Sequence, residues 1–198
     1  MPRTPVVLFI AGCLGAVTLA EQSPKTFTSW PIREAPTQLQ LVISHADVII
    51  VTMQDAMLRQ LTEALDRGGP TSALGSCHLD ATAVSYRVGR EGIAAGRTSD
   101  RLRSPTNAPP RWAADLVKAN AGARARDVEG FAVDLGQKVG VLRPMAQRPI
   151  CANCHGPADR LSPGVRQLLT ERYPVDRAVG FADGEIRGWF WVEMPKPR

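Results

Sequence analysis

The central part of the chain opens with apolar residues at helical spacing. Between Thr37 and Arg67 they recur every three or four positions, at Ile50, Met53, Met57, Leu61 and Leu65. Charged side chains fall on the other side of the same helical projection. This period predicts one long amphipathic helix.

The triplet Gly68-Gly69-Pro70 predicts the end of that helix, because glycine permits a left-handed turn and proline cannot continue a helix. We expect a second helix from Pro70 to about Val88. Its apolar positions recur at steps of three and four residues and are Leu74, Cys77, Ala81 and Val84. The Cys77 thiol therefore lies on the apolar stripe of the second helix.

After Gly96 the pattern becomes that of strands and turns. Two apolar runs, 131–135 and 138–143, flank Gly136-Gln137 and predict a β-hairpin. A helix opened by Ser162 or Pro163 and ending at Arg172 follows, and the run 188–194 predicts a closing strand. Helices first and antiparallel strands afterwards indicate an α+β fold.

The chain starts with features of an export signal. Residues 1–20 have a short basic start followed by an apolar run that ends at Ala20, which predicts a secretory signal peptide. Residues 21–36 are rich in Ser, Thr and Pro and predict a flexible tether. We expect residues 37–198 to form a single domain in the periplasm. Ile10-Ala11-Gly12-Cys13 also resembles a lipoprotein box, so membrane attachment is expected only if Cys13 is lipidated.

The composition is that of a globular domain and argues against nucleic-acid binding. With 44% apolar and 22% charged residues, the chain has the balance of an ordinary globular domain. The net charge is +5, but the arginines are scattered. A nucleic-acid-binding protein is expected to carry a basic stripe interleaved with aromatic residues, and the sequence shows none.

One short motif carries recognisable chemistry. In Cys151-Ala152-Asn153-Cys154-His155 the two thiols have the spacing that adds across the vinyl groups of one haem, with the histidine placed to bind the iron. The sequence therefore predicts one covalently attached haem c, held by Cys151, Cys154 and His155. A Cys151–Cys154 disulfide and a metal site are the alternatives. Cys77 is then left without a disulfide partner, which burial or metal ligation would explain.

Several stretches resemble a family of c-type haem proteins with a PAS-like core, long catalogued as a domain of unknown function and known from a cyanobacterial cytochrome. The matching stretches follow one another in the family's order along the chain. They are the haem motif with Gly156 and residues 73–77, 96–99, 103–109 with Trp112, 173–181 and 184–188. The resemblance implies an antiparallel sheet flanked by helices. It covers about residues 50–195.

The resemblance also implies an unusual pair of iron ligands, His155 on one side and Cys77 on the other. Cys77 as a small buried hydrophobe is the alternative. The neighbouring His78 is a second candidate for the sixth ligand, and Ser104 stands where the family tends to have asparagine. Arg97, Arg103 and Arg187 lie inside matched stretches and are candidates to bind the haem propionates.

These features predict an exported mono-haem c-type protein that transfers electrons or senses redox state or a diatomic gas. A thiolate ligand stabilises ferric iron and predicts a low reduction potential. The expected partners are haem and an unidentified redox protein. The alternative is a haem enzyme of the peroxidase or nitrogen-oxide reductase type, which needs a distal iron position that can be vacated.

Overall fold

Five strands form one antiparallel sheet in the computed structural model, which describes residues 26–76 and 92–196. The strands are β1 (Ser29–Pro31), β2 (Ala94–Thr98), β3 (Phe131–Asp134), β4 (Lys138–Ala146) and β5 (Ile186–Pro195). Their order across the sheet is β1-β3-β4-β5-β2, so β2 is an edge strand. The predicted hairpin is confirmed as β3 and β4, and the predicted closing strand as β5.

Four α-helices accompany the sheet in the described part of the chain: α1 (Gln40–Ser76), α2 (Ala114–Ala119), α3 (Ala152–His155) and α4 (Pro163–Arg172). The predicted break in the long helix is confirmed, because Gly68 and Gly69 leave the helical conformation and Gly69 has a φ of 66°. Pro70 opens the continuation, of which the structure describes residues to Ser76. Ser162 caps α4 by accepting a hydrogen bond from the Val165 amide.

The core has two layers, one on each face of the sheet. The inner stripe of α1, which includes Val42, Ile43, Ala46, Ile50 and Met53, packs on one face. On the other face, Trp112 and Val117 pack against Trp189 of β5 and Leu142 of β4. Successive residues of a strand point to opposite faces, so Phe190 belongs to the first layer and Trp189 to the second.

A third apolar cluster joins the far end of α1 to α4. It consists of Leu74, Leu161, Val165 and Leu169, with Cys154 packed against it. This cluster brings the motif turn α3 under the C-terminal part of α1. The predicted α+β fold, with a long N-terminal helix and an antiparallel sheet flanked by helices, is confirmed.

By length and composition alone, the helix from Thr37 to Leu74 is apolar enough to cross a membrane. Its inner stripe nevertheless covers the sheet, as the core helix of a globular domain does. Its outer side leaves Leu41, Val48 and Val51 exposed.

The folded part begins earlier than the sequence predicts. Residues 21–36 were expected to form a tether, but Ser29–Pro31 is strand β1 and pairs antiparallel with β3. Ile32 and Ala35 are buried in the core beside α1. The tether interpretation is therefore wrong for residues 29–36. The predicted signal peptide and Cys13 lie outside the described residues.

Candidate haem site

A cavity of about 780 Å³ lies at the β2 edge of the sheet. Its wall is built from the second half of α1, from β2 and the loop after it, and from the motif turn. Every described residue that the sequence predicted for the site lines this cavity: Arg97, Arg103, Cys151, Cys154, His155 and Arg187. Residues from opposite ends of the domain therefore meet around one space.

The motif forms a tight helical turn at the cavity wall. A single 3-10 turn ends at Cys151, and α3 continues from Ala152 to His155. Residues three apart on a helix lie on the same side, so the thiols of Cys151 and Cys154 share one face. Cys151 is buried and its thiol is free, so the alternative Cys151–Cys154 disulfide is not formed.

Gly156 ends the turn in a position that excludes a side chain. Its amide donates to the Ala152 carbonyl at 3.1 Å. A Cβ at Gly156 would lie 2.7 Å from the same carbonyl oxygen, which is too close for any other residue.

The orientation of the His155 ring is fixed by its Nδ1 atom. Nδ1 lies 2.7 Å from the carbonyl oxygen of Ala178. A carbonyl only accepts hydrogen bonds, so the proton resides on Nδ1 and the lone pair resides on Nε2. Metal-binding histidines commonly use this arrangement, in which one ring nitrogen donates to a carbonyl and the other binds the metal.

Burial lowers the pKa of His155 well below its ordinary value, and the positive charges of Arg187, Arg103 and Arg97 lower it further. The hydrogen bond to Ala178 acts in the opposite direction but is outweighed. The imidazole is therefore neutral at physiological pH. Neutral imidazole is the form that can coordinate a metal.

Two arginines reach the cavity from the sheet. Arg97 on β2 donates to the Met57 sulfur at 3.0 Å, and Arg187 donates to the Met145 sulfur at 2.7 Å. Arg187 also lies beside His155, with Nη1 3.5 Å from Nε2. The two guanidinium groups place positive charge on the side of the sheet that faces α1.

Arg187 reaches this position because β5 has a bulge. Met145 pairs with Gly188 and Ala146 pairs with Ile186, which leaves Arg187 as the extra residue. A β-bulge re-aims the side chain at the extra position. A Cβ at Gly188 would lie 2.6 Å from the Thr98 carbonyl oxygen, so glycine is required where the bulge meets β2.

Arg103 contacts the motif itself. Its Nη2 donates to the carbonyl oxygen of Cys154 at 2.5 Å and to that of Ala178 at 3.2 Å. Its Nε donates to Asp176 Oδ2 at 3.0 Å in an ion pair whose side chains are 13% and 8% exposed. Neither Asp176 nor Ala178 was predicted as a site residue, because their roles depend on contacts between distant parts of the chain.

The wall combines arginine side chains with apolar surface, which suits an anionic ligand with a large apolar body. Four arginines line the cavity, with Arg101 as the fourth, and no Asp or Glu does so among the described residues. Thr98 and Trp191 line it too, and the Oγ1 of Thr98 and the Nε1 of Trp191 are buried without a hydrogen-bond partner. Met57, Leu61 and Leu65 supply apolar surface.

Haem fits this chemistry. It is a flat apolar ring that carries two carboxylates, and the cavity volume is within the range of cofactor sites. The alternative of a metal held by side chains alone finds no support in residues 26–76 and 92–196, which contain no cluster of three His, Cys, Asp or Glu. Cys77 and His78 lie outside the described residues, so the sixth ligand stays a prediction.

The fold and site define a class: an α+β domain with a Cys-x-x-Cys-His turn opening onto an arginine-lined cavity. The model of the Tll0287-like family matches residues 34–195, and the chain belongs to this family. Among solved structures it is similar to "the cyanobacterial heme-protein Tll0287", with 20% identity and a TM-score of 0.57. The match covers 83% of this chain and 98% of that one, and it shows a shared fold. No curated protein matches the chain.

Proposed function

We propose that this protein binds one haem c, with thioether bonds from Cys151 and Cys154 and with His155 as an iron ligand. The observation that carries the proposal is the His155 ring, which lines the cavity and whose Nδ1–H donates to Ala178, so that the lone pair is on Nε2. Membership of the Tll0287-like family and the fold shared with a cyanobacterial haem protein support it.

We further propose that the protein is exported and works in the periplasm. In bacteria, haem is attached to this motif on the far side of the cytoplasmic membrane, so the motif and the predicted signal peptide at residues 1–20 support each other. Lipidation at Cys13 is the route by which the protein would become membrane-attached. Release of a soluble periplasmic form by osmotic shock tests this part of the proposal.

The proposed role is electron transfer or the sensing of redox state or a diatomic gas. The bound haem supplies a one-electron change at iron. The protein's residues hold His155 in one tautomer and surround the site with positive charge from the arginines. The charges favour ferrous iron, whereas a thiolate from Cys77 as sixth ligand favours ferric iron. His78 is the alternative sixth ligand, and the redox partner is proposed to be a separate protein.

The described wall of the cavity supports a carrier or sensor over an enzyme. Peroxidase or nitrogen-oxide reductase chemistry needs a distal acid or base. Among the described residues, His155 is the single histidine that lines the cavity, and no carboxylate does so. A distal acid or base of the enzyme alternative would therefore have to be Tyr173, which lines the cavity, or a residue of the segment 77–91.

One experiment tests the proposal directly. The mature protein is purified from cells with active cytochrome maturation, and its intact mass and ferric absorption spectrum are recorded. We expect the mass of one covalently bound haem and a low-spin, six-coordinate spectrum. A bare polypeptide mass would overturn the proposal, and a high-spin spectrum would favour the enzyme alternative.

A further inference from the structure

The Ala178 carbonyl oxygen is shared by two donors. His155 Nδ1–H donates to it at 2.7 Å, and Arg103 Nη2 donates to it at 3.2 Å. A carbonyl has two lone pairs, so it can accept both hydrogen bonds. The arginine is charged, however, and it withdraws electron density from the oxygen on which the His155 ring depends.

The Ala178 segment is held in place independently of Arg103. Two backbone hydrogen bonds tie it to the motif turn: Gly180 N–H donates to the Gly156 carbonyl at 2.8 Å, and Phe181 N–H donates to the His155 carbonyl at 3.1 Å. The Ala178 amide itself donates to Asp176 Oδ1 at 2.8 Å. Removing the guanidinium is therefore expected to leave the carbonyl oxygen in reach of His155.

Asp176 controls how strongly Arg103 acts. Its Oδ2 pairs with Arg103 Nε, while its Oδ1 accepts the Ala178 amide. The two side chains are 13% and 8% exposed, so solvent screens their interaction weakly. The carboxylate thereby offsets part of the positive charge that Arg103 brings to the Ala178 carbonyl.

We propose that Arg103 is a positioning residue that sets how strongly His155 donates to iron, rather than a ligand for a haem propionate. By competing for the Ala178 carbonyl, Arg103 weakens the hydrogen bond from Nδ1–H and makes the imidazole a weaker donor. A hydrogen bond from the second ring nitrogen makes a ligating histidine more basic, and a more basic ligand favours ferric iron. Weakening that hydrogen bond therefore favours ferrous iron. This proposal rests on the proposed haem function.

The variants are chosen to separate hydrogen bonding from charge. Arg103→Met removes both, and Arg103→Lys keeps the charge without the planar fork. Arg101→Met is the matched control, because Arg101 lines the same cavity and is paired with Glu185. Arg101 donates to the neighbouring Val179 carbonyl at 3.2 Å, so the control also shows whether any arginine on this segment has the same effect. Asp176→Asn leaves Arg103 without its counter-charge.

Two measurements are made on each variant. The first is the reduction potential of the haem-loaded protein by spectroelectrochemical titration. The second is the chemical shift of the His155 ring N–H in the haem-free protein, by proton NMR, which reports hydrogen-bond strength without any haem. For Arg103→Met we expect the equilibrium to favour ferric iron about ten-fold more, which lowers the reduction potential of a one-electron couple by about 59 mV. We also expect the N–H resonance of His155 to move downfield.

The other variants show whether hydrogen bonding or charge causes the change. Arg103→Lys is expected to give a smaller decrease in potential, and Asp176→Asn an increase with an upfield N–H shift. Arg101→Met is expected to leave the N–H resonance unchanged. If Arg103→Met and Arg101→Met lower the potential equally and neither moves the N–H resonance, charge alone acts and the proposal is wrong.

Failure of the proposed function is recognised separately. If Arg103→Met does not fold, the Arg103→Lys and Asp176→Asn variants test the proposal instead, because their N–H resonances are expected to shift in opposite directions. If the unmodified protein carries no haem when cytochrome maturation is working, the proposed function fails. The N–H shifts of the haem-free variants then still decide whether Arg103 competes for the Ala178 carbonyl.

Discussion

Arg187 Nη1 lies 3.5 Å from His155 Nε2, the nitrogen that carries the lone pair. A bond from imidazole nitrogen to a metal is about 2 Å long. An iron on Nε2, with a porphyrin ring around it, would therefore need the space next to the guanidinium. With haem bound as proposed, the Arg187 side chain would have to turn away from Nε2.

Arg187→Met is expected to lower the reduction potential of the bound haem. The variant removes a positive charge near the iron, which favours the ferric form by on the order of 1 kcal/mol at a typical protein dielectric. Spectroelectrochemical titration measures the change. Arg187→Lys keeps the charge and is the control, so an equal decrease in both variants would show that charge is not the cause.

The two thiols are expected to contribute separately to haem attachment. Cys151→Ala and Cys154→Ala should each keep haem through the remaining thioether bond, whereas the double variant should lose its haem on denaturation. Acid-acetone extraction followed by intact-mass measurement distinguishes the three cases. Haem that stays with the denatured double variant would point to a different attachment site.

Much of the fold follows from periodic patterns in the sequence. The apolar spacing of α1, the break at Gly68-Gly69, the hairpin at Gly136 and the cap at Ser162 are all local signals. Each is confirmed because local geometry and burial favour the same conformation. Strand β1 was missed because it has three residues, and its place at the sheet edge depends on pairing with a strand about a hundred residues later.

The candidate site likewise has a part that the sequence predicts and a part that it does not. The motif turn could be predicted because Cys151, Cys154 and His155 are adjacent in the sequence and their spacing has chemical meaning. The surroundings could not, because Arg103 meets Asp176 across 73 positions and His155 meets Ala178 across 23. Arg187 was visible only as a basic residue in a family-like stretch, since its direction depends on a bulge.

Gly156→Ala is expected to displace the motif turn. The added Cβ would meet the Ala152 carbonyl oxygen at 2.7 Å, so the end of α3 must open. We expect a loss of stability of about 1–3 kcal/mol and a smaller haem-loaded fraction. Thermal unfolding and the ratio of haem to protein absorbance measure these effects. Gly136→Ala is the control, since its Cβ would meet nothing within 4 Å and its positive φ of 84° strains only the hairpin.

The control also defines what would contradict this prediction. Gly136→Ala should lower stability through its backbone but leave the haem-loaded fraction unchanged. If Gly156→Ala retains full loading while it unfolds as early as Gly136→Ala does, the shape of the motif turn does not govern attachment.

The sixth ligand can be decided by two neighbouring substitutions. Cys77→Ala is expected to raise the reduction potential and to change the ferric spectrum, because a thiolate donates more strongly to iron than any ligand that would replace it. His78→Ala is expected to leave both unchanged. If the predicted second helix includes both positions, they would be about 100° apart around it, so one ligand would exclude the other. The opposite result would identify His78 as the sixth ligand and give the iron two histidine ligands. The argument for a low-potential sensor would then lose its chemical basis, because no thiolate would bind the iron.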